Sequence, residues 1–430
     1  MKTADRPFYI SAEYILPHCG LAHYLEILVG ALRKMQAEPR IQVESIAPLW
    51  DGDDALSLRK DVGPLERHLV RPGVRDFIMA HIQPHLPKFV WDAVLWGLST
   101  YNYFAVHRRI AQLWRKQDSE TCVLLPHIPL DPGVKQYYRA LMKCRLIWVI
   151  HDLHPFYFPE AWNRSSLKMC KTILPELARN ARHIIVHNEF TRDSAIQYLG
   201  ADPKKMTVIR LPHIMDLAPA GDAAGDEAVL AGLGVRKPYA LWASSTTIHH
   251  KNHERLIRAW VQMQQRSEQR VQLVCTGSKQ PRWHEIAPVL ESVGDRADIL
   301  FTDTIPKASL QVLLRNAALA VCPTLFEGGG CGPAMEAAYA GIPVVCSNIP
   351  QIHEQYDHRE DLCRYFDPRD EASLAEAVLL ALKNAGETKA MAERAQKWIQ
   401  QRRTWDDVAR EYWTVLNAVW QGKEVQASVP

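Results

Sequence analysis

The feature that most constrains the fold of this chain is the regular alternation of short apolar runs with longer helical patterns. Runs such as LIWVI in 145–152 and QLVC in 270–277 are continuously apolar. That pattern is typical of strands buried on both faces of a sheet. Strands of this kind that are joined through helices form parallel sheets covered by helices. The sequence therefore predicts an α/β protein.

The alternation occurs twice along the chain. It ends at MTVIRLP (206–212), gives way to a segment rich in Ala, Gly and Asp at 216–237, and restarts at YALWASS (239–245). Such a change in composition is typical of a linker, and 430 residues suffice for two domains. The predicted divisions are a first domain at 1–215, a linker at 216–237, a second domain at 238–400 and a C-terminal helical segment at 401–430.

Composition and charge argue against several classes of protein. The net charge is only +3 at pH 7, so a nucleic-acid-binding protein is not expected. The nine cysteines include no C-x-x-C pair, which favours packed thiols in a reduced, cytoplasmic protein over a disulfide framework or a zinc site. No apolar run reaches the roughly 18 residues of a membrane span, and the N-terminus lacks the apolar core of a secretory signal.

Aromatic residues are concentrated in the first half of the chain, at 91–115. One interpretation is that they pack in the core and between helices. The alternative is a surface that lies among lipid headgroups. The aromatic residues concerned are Trp91, Trp96, Tyr101, Tyr103, Phe104 and Trp114.

The most informative segment is TLFEGGGCGPAMEAAYAGIPVV, at 324–345. Glu327 and Glu336 bracket four glycines, which a helix would not tolerate because each costs about 1 kcal/mol relative to alanine. Pro333 suits the first turn of a helix, so the glycines predict a loop between a strand and a helix. Backbone N–H groups in such a loop suit a phosphate, and the flanking carboxylates suit hydroxyl groups. A nucleotide-sugar combines these groups.

This segment resembles the donor-site signature of the retaining glycosyltransferases of family 4, also called group 1, which are GT-B proteins and include mannosyltransferases. The family has seven residues between the two glutamates, and this chain has eight. The resemblance implies two Rossmann-like doubly wound domains facing each other across a cleft. It implies that the first domain binds the acceptor, that the second binds the nucleotide-sugar, and that the C-terminal helix packs back across the cleft.

The resemblance assigns roles to the residues of this loop. Glu327 is expected at the donor sugar, and Glu336 is expected at the ribose. The backbone of the three consecutive glycines between them is expected at the sugar and the phosphate. These glycines are Gly328, Gly329 and Gly330.

The resemblance also assigns roles outside the loop. His151, in the His-Asp-Leu segment VIHDLHPF, is expected beside the donor sugar in support of catalysis. Lys251 is expected to neutralise the diphosphate. The remaining expected donor contacts are Cys331, Gly332, Thr304, Ile305 and Gly20.

Two features depart from the family pattern or compete with it. The family has an arginine a few residues before the lysine, whereas ASSTTIHH (243–250) has none, so His249 or His250 is a candidate substitute. An Asp-x-Asp sequence occurs at Asp51-Gly52-Asp53, as in metal-using glycosyltransferases of another fold. It lacks the rest of that fold's pattern, and the resemblance implies transfer without a metal or cofactor.

The resulting prediction is a retaining hexosyltransferase that uses a GDP- or UDP-sugar, with mannose favoured. Its acceptor is expected to be a glycan or a lipid-linked oligosaccharide in surface polysaccharide or lipopolysaccharide synthesis. We expect a cytoplasmic protein with peripheral contact at the inner face of the membrane. The alternatives are a non-catalytic GT-B scaffold with a decayed donor site and a GT-B nucleotide-sugar epimerase. A nicotinamide dehydrogenase is disfavoured, because no G-x-G-x-x-G follows the first strand.

Overall fold

The computed structural model describes residues 8–11, 20–34, 41–44, 111–112, 114–126, 134–212, 223–280 and 282–425. The chain divides into two compact units. The first contains Met1–His187, Thr191–Arg210 and Trp405–Pro430. The second contains Asn188–Phe190 and Leu211–Thr404.

The first unit is built on a parallel sheet of six strands in the order β2-β1-β3-β4-β5-β6. Its strands are β1 (Phe8–Ser11), β2 (Ile41–Glu44), β3 (Cys122–Leu125), β4 (Arg145–Ile150), β5 (His183–Val186) and β6 (Met206–Val208). Its helices are α1 (Gly20–Lys34), α2 (Lys135–Leu141), α3 (His154–Tyr157), α4 (Arg164–Asn180), α5 (Glu189–Leu199) and the last helix of the chain, α14 (Trp405–Trp420).

The middle strands of this sheet are buried along their length, as the continuous apolar runs predicted. All four residues of β3 and of β5 are buried, and so are five of the six in β4. The chain returns to this unit after Thr404, and α14 packs against α1. The hydroxyl groups of Tyr24 on α1 and Tyr412 on α14 lie 2.5 Å apart in the buried contact between the two helices.

The second unit repeats the architecture with a parallel sheet in the order β12-β11-β10-β7-β8-β9. Its strands are β7 (Tyr239–Ala243), β8 (Gln272–Thr276), β9 (Ile299–Phe301), β10 (Leu319–Cys322), β11 (Val344–Ser347) and β12 (Arg364–Phe366). Its helices are α6 (Ala223–Gly232), α7 (His253–Arg266), α8 (Trp283–Val293), α9 (Lys307–Asn316), α10 (Gly332–Tyr339), α11 (Pro350–Gln355), α12 (Glu371–Lys383) and α13 (Ala385–Gln400).

The strand order of the second sheet reverses direction at β7. The chain runs outward from β7 through β8 to β9, then crosses back to β10 on the other side of β7 and continues to β12. At the carboxyl edge of the sheet, the chain that leaves β7 therefore turns towards β8, whereas the chain that leaves β10 turns the opposite way towards β11. In open α/β sheets, this topological switch point is where ligands bind.

Part of the segment predicted as a linker, 216–237, is a structured piece of the second unit. Helix α6 occupies Ala223–Gly232, and Asp226 near its start accepts hydrogen bonds from Arg315 (Nε to Oδ2, 2.7 Å) and Asn316 (2.8 Å). These contacts attach α6 to the end of α9. The Arg315 guanidinium also holds the pKa of Asp226 at about 2, below its usual range. The composition of this segment was consistent with one short helix inside the predicted linker, but it does not indicate that the helix is attached to α9.

The described cysteines are buried free thiols, and Cys19 lies outside the described residues. The sulfur atoms of Cys346 and Cys363 lie 3.4 Å apart. Among the helices that the structure describes, none is both long and apolar enough to cross a bilayer.

Candidate functional site

The loops that leave β7 and β10 are held together at the switch point of the second sheet. The backbone N–H of Leu325 donates to the carbonyl oxygen of His250 over 2.7 Å. The Thr324 hydroxyl is buried, donates to the Phe326 carbonyl over 2.8 Å, and lies 3.2 Å from the His250 carbonyl. These bonds place the Lys251 segment directly beside the start of the glycine-rich loop.

Asn252 fixes the same junction from the other side. It adopts the left-handed conformation with φ of 60°, which asparagine tolerates better than most residues. Its buried amide nitrogen donates to the carbonyl oxygens of Pro323 (2.9 Å) and Pro368 (2.8 Å). The segment before α7 is thereby tied to the end of β10.

Lys251 and Glu327 form the charged contact at this junction. The Lys251 Nζ lies 2.8 Å from Glu327 Oε1, and the side chains are 19% and 8% exposed. Burial acts to lower the pKa of Lys251, but its neighbours, with the Glu327 carboxylate foremost among them, together raise the pKa above its ordinary value. The lysine is therefore a cation held in a mostly dry setting, where its charge acts more strongly than on an open surface.

The three consecutive glycines follow Glu327 directly and form the loop that the sequence predicted. Gly328 and Gly329 lie in a bend of the backbone, and Gly330 follows without regular secondary structure. All three are half-buried, so their backbone is neither sealed in the core nor fully open to solvent. The structure thus places Gly329 at the middle of the loop between Glu327 and α10, and its predicted contact with a donor stays a prediction.

Gln355, the last residue of α11, holds the end of this loop through two hydrogen bonds to its backbone. Its Oε1 accepts from the backbone N–H of Cys331 over 2.8 Å, and its Nε2 donates to the Cys331 carbonyl over 3.1 Å. Gly330 has φ of 110°, a conformation that L side chains rarely adopt. The Cys331 N–H, which was predicted to contact the donor, is therefore already donated to Gln355 in this conformation.

Helix α10 begins directly after this loop, at Gly332. Pro333 lies in its first turn, as predicted, and no side chain caps its N-terminus. Glu336 lies one turn in, where burial raises the pKa of its carboxyl to about 7, with the Lys307 cation acting in the opposite sense. This carboxyl therefore changes between its protonated and its ionised form near neutral pH.

The loops after β7 and β8 also approach each other closely. A Cβ atom on Gly277 would lie 2.6 Å from the backbone nitrogen of Ser245, and the φ of Gly277 is 129°. Thr246 is buried, and its hydroxyl donates to the Lys279 carbonyl over 2.6 Å. Only a glycine at 277 permits this contact, which supports the segment leading to Lys251.

Thr304 and Ile305, predicted at the base of the nucleotide, follow β9 at the same edge of the sheet. The backbone N–H of Thr304 donates to the Asp303 carboxylate over 2.8 Å, and Asp303 has φ of 64°. The Thr304 side chain is exposed, whereas Ile305 packs partly against the core. The two residues thus form a tight exposed turn at the edge of the sheet.

His249 and His250 lie in different environments, although both were candidates to replace the family arginine. His250 is buried, with its ring centroid 6.0 Å from that of Phe326. His249 is exposed, with Nε2 3.5 Å from Glu285 Oε2. His249, Glu254 and Glu285 have metal-ligand spacing, but the Arg282 guanidinium hydrogen-bonds Glu285 and lies 3.6 Å from Glu254. Arg282 thus supplies the positive charge that a metal would bring.

In the first unit, His151 lies at the carboxyl end of β4 beside His187. Ile150 pairs with Val186 in the parallel register of β4 and β5, so the residues that follow them are neighbours. The His187 Nε2 lies 3.1 Å from the His151 Nδ1. Sequence reasoning found His151 and missed His187, which had to be recognised as the matching residue at the end of the adjacent strand.

The remaining predicted features lie partly or wholly outside the described residues, or are described only by their secondary structure. Gly20 is the first residue of α1, and its expected contact with the donor stays a prediction. Asp51-Gly52-Asp53 and most of the aromatic segment at 91–115 lie outside the described residues. Trp114 is described and buried, its ring packed edge-on against Tyr9, as the core-packing interpretation expected for it.

The predicted site residues divide between the two units. In the second unit, the structure brings Lys251 and Glu327 into direct contact, and the glycine loop leads from Glu327 to Glu336 on α10. His151 and Gly20 belong to the first unit. Sequence reasoning missed two further residues of the second unit, because their roles depend on hydrogen bonds to residues more than 20 positions away. These residues are Gln355 and Asn252.

Two protein-family models together match most of the chain. A model described as Glycosyl transferases group 1 matches residues 235–398. A model described as Glycosyltransferase Family 4 matches residues 20–212. The two matches fall on the second and the first unit respectively.

Two curated relatives are similar to part of the chain. O-antigen chain mannosyltransferase B of Escherichia coli is 23% identical over 240 residues, which are 56% of this chain and 62% of that protein. O-antigen chain mannosyltransferase RfbU of Salmonella typhimurium is 20% identical over 229 residues, 53% of this chain and 58% of that protein. The matched part is thus under two thirds of the length of each relative.

Solved structures match over nearly the whole chain. Anabaena HepE in complex with UDP and glucose has a TM-score of 0.68 at 15% identity, covering 96% of this chain and 100% of that one. WaaG, a glycosyltransferase involved in lipopolysaccharide biosynthesis, has a TM-score of 0.59 at 14% identity, covering 95% and 98%. At these identities the likeness concerns the fold, and it confirms the predicted GT-B class with its two Rossmann-like units.

Proposed function

Because the chain belongs to the group 1 glycosyltransferases, we propose that it transfers a hexose from a nucleotide-diphosphate donor to a glycan or lipid-linked glycan. The observation that carries the proposal is the Lys251–Glu327 contact at the switch point of the second sheet. It combines a dry cation, a carboxylate and a glycine-rich loop that opens a helix. Those three groups suit, in order, a diphosphate, sugar hydroxyls and a closely approaching phosphate.

We assign the donor to the carboxyl edge of the second sheet. Lys251 would neutralise the diphosphate, and Glu327 would accept hydrogen bonds from the sugar. Glu336 would accept from the ribose. The backbone of Gly328–Gly330, with Gly329 at its middle, would contact sugar and phosphate. The turn at 304–305 would contact the base.

The mechanism proposed for the transfer is front-face displacement with retention at the anomeric carbon. The bond from the anomeric carbon to the phosphate oxygen breaks through an oxocarbenium-like state. The acceptor oxygen forms its new bond to the anomeric carbon on the same face, and the departing phosphate takes the proton of the acceptor hydroxyl. The contribution of Lys251 and of the loop amides is to stabilise charge on the leaving diphosphate. No metal is part of this scheme: Lys251, the loop amides and the N-terminus of α10 would stabilise that charge.

In this proposal, the preferred donor is GDP-mannose, from which mannose is transferred. The preferred setting is the synthesis of a surface polysaccharide. The names of both curated relatives, O-antigen chain mannosyltransferases, support it. A UDP-sugar is the second candidate, supported by the structural likeness to a protein crystallised with UDP and glucose. We propose that the acceptor is presented at the inner face of the membrane.

The test is a transfer assay with GDP-mannose and UDP-glucose against polyprenyl-linked acceptors. Lys251→Met should lower turnover at least about 100-fold, as expected when one charge-stabilising group is removed from a transition state. Lys237→Met is the matched control, since Lys237 is exposed and pairs with Glu227 away from this loop. Full activity in Lys251→Met would contradict the role assigned to Lys251. Absence of transfer and of donor hydrolysis with every nucleotide-sugar would contradict the proposal and favour a scaffold.

A further inference from the structure

The carboxyl ends of β4 and β5 bring two imidazole rings together, and every ring nitrogen has a partner. The ring centroids of His151 and His187 lie 4.8 Å apart, and Nε2 of His187 lies 3.1 Å from Nδ1 of His151. The His151 Nε2 lies 2.9 Å from the Pro126 carbonyl oxygen. The His187 Nδ1 lies 3.0 Å from the Ile209 carbonyl oxygen.

These contacts fix the number of protons on the two rings. A carbonyl oxygen can only accept, so His151 Nε2 and His187 Nδ1 each carry a proton. The remaining contact joins two nitrogens, and it needs a third proton because two lone pairs at that distance repel each other. A neutral imidazole has one ring proton, so two neutral rings supply one too few.

From this count we infer that His187 is a positioning residue that holds His151 in a proton-sharing imidazole–imidazolium pair with a single positive charge. The charge belongs to the pair and not to either ring, so the two histidines titrate together. Its part in catalysis rests on the proposed function. The resemblance to the family implies that His151 lies beside the donor sugar, where a fixed cation would favour negative charge that develops on the donor.

The surroundings of the pair suit a cation. Tyr24 on α1 packs at steep angles against both rings, with centroids 5.0 Å from His151 and 5.7 Å from His187. Burial raises the pKa values of Tyr24 and of its hydroxyl partner Tyr412 on α14, so both phenols stay neutral. The exposed Asp152, next along the chain, accepts from the backbone N–H of the residue two positions on over 2.9 Å. Aromatic neighbours stabilise a cation through their ring electrons.

The same geometry changes how His151 would act. Both of its ring nitrogens are already engaged within the first unit, one by Pro126 and one by His187. In this conformation, His151 therefore contributes charge and position and does not offer a ring N–H to a sugar. Replacement of His187 should therefore lower kcat for transfer through its effect on His151.

The direct test is long-range ¹H–¹⁵N NMR of the protein labelled with ¹⁵N-histidine, recorded from pH 5.5 to 9. At pH 7, the pair should show three protonated nitrogens among four and should lose one proton in a single shared step. In His187→Gln, the His151 signals should become those of a neutral ring protonated at Nε2. Two neutral rings in the wild type at pH 7 would overturn the inference, whatever the folding of the variants.

His183→Gln is the matched control. His183 is also buried on β5, but its Nε2 lies 2.8 Å from the Thr207 hydroxyl, and burial lowers its pKa to about 4. It is thus a neutral histidine at neutral pH, and its replacement should leave the signals of the pair unchanged. His187→Asn provides a second amide variant, because an amide donates to His151 without sharing an ionisable proton.

A double-mutant cycle tests the functional part. His151→Gln and His187→Gln should each lower kcat for transfer by about 10-fold or more, and the double variant should fall no further, because each change removes the same charge. Losses that multiply would show that the two residues act independently and would overturn the inferred pair. Absence of transfer in the wild type would instead contradict the proposed function, and the NMR result would still decide the protonation of the pair.

Discussion

The charged contacts at the two sheet edges differ in what holds them together. In the second unit, Lys251 and Glu327 are unlike charges in contact, and their sum is zero. In the first unit, His151 and His187 are like rings that need one extra proton to stay in contact, and their sum is +1. The first contact joins opposite charges, whereas the second depends on a proton that histidine can release near neutrality. The net charge of the second contact therefore varies with pH.

The two contacts also arise from the chain in different ways. His151 and His187 each follow a strand directly, so the register of β4 with β5 is enough to place them together. Lys251 comes eight residues after the end of β7 and reaches Glu327 through a loop held by backbone bonds and by Asn252. The histidine contact should therefore tolerate changes in loops that would displace the lysine.

The largest effect is expected from breaking the ion pair of the second unit. Lys251→Met leaves the Glu327 carboxylate buried without its cation, and removal of one partner of a buried pair costs about 3–5 kcal/mol. Because the Lys251 side chain keeps 19% exposure, we expect the free energy of unfolding in urea to fall by about 3 kcal/mol. The double variant Lys251→Met/Glu327→Gln should recover to within about 1 kcal/mol of wild type. A stable single variant would show that the pair is well hydrated.

The next effect tests whether the loop that bears Lys251 depends on a close backbone approach. Gly277→Ala would place a Cβ 2.6 Å from Ser245 N at a φ of 129°. We expect a loss of about 2–4 kcal/mol in the free energy of unfolding, together with weakened nucleotide binding. Gly232→Ala, at the end of α6, meets no atom within 4 Å and should be neutral or slightly stabilising. Equal melting temperatures for the two variants would contradict the described approach of the loops.

Glu336 shows that the second unit also contains one group that titrates near neutrality. Burial raises the pKa of Glu336 from an ordinary 4.5 to about 7, so between these pH values the folded protein binds more protons than the unfolded chain. Stability must then fall as pH rises through this interval. Glu336→Gln removes that cost and should raise the free energy of unfolding by about 2 kcal/mol at pH 8, with little change at pH 5.

Glu285→Gln is the control of opposite sign. The Arg282 guanidinium lowers the pKa of Glu285, so this carboxylate stabilises the fold at neutral pH and loses that contribution in acid. Glu285→Gln should therefore lower the melting temperature at pH 8 and have less effect as the pH falls below the usual range of glutamate. The same sign for both variants would contradict the assigned environments.

The smallest effect concerns the helix contact behind the histidine pair. Tyr24→Phe removes the 2.5 Å bond between Tyr24 and Tyr412 and leaves a buried hydroxyl without this partner. We expect a loss of about 1–2 kcal/mol on unfolding, and the double variant Tyr24→Phe/Tyr412→Phe should be closer to wild type. The histidine NMR signals should stay the same, because the ring of residue 24 is kept. A change in those signals would mean that the hydroxyl contact helps to hold the pair.

Much of the fold was predictable because its strands carry local signals. The apolar runs that became β4, β7 and β8 lie within two residues of their predicted bounds, since full burial requires continuous apolar sequence. Helices α4 and α8 contain Pro175 and Pro288, which obscure a helical pattern. The attachment of helix α6 to the second unit was not predictable from its own segment, because the ion pair of Asp226 with Arg315 joins residues 89 positions apart.

The candidate site was predictable as far as its motif is contiguous. Glu327, the glycines, Pro333 and Glu336 lie within ten residues, and their spacing alone indicates a loop that opens a helix. Gln355 and His187 act through partners that only the fold brings near, 24 and 36 positions away respectively. Local spacing contains no information on such pairs.

The measurement that tests the central claim most directly is the thermal stability of wild type and of Glu336→Gln with GDP, UDP, ADP and dTDP at pH 8. A ligand that binds only the folded state at 100 times its Kd adds about 2.7 kcal/mol. We expect a rise with one of these nucleotides in the wild type and no rise in Glu336→Gln, although that variant is the more stable of the two without ligand. No rise with any nucleotide, or an equal rise in both proteins, would contradict a nucleotide-sugar site at Lys251, Glu327 and Glu336.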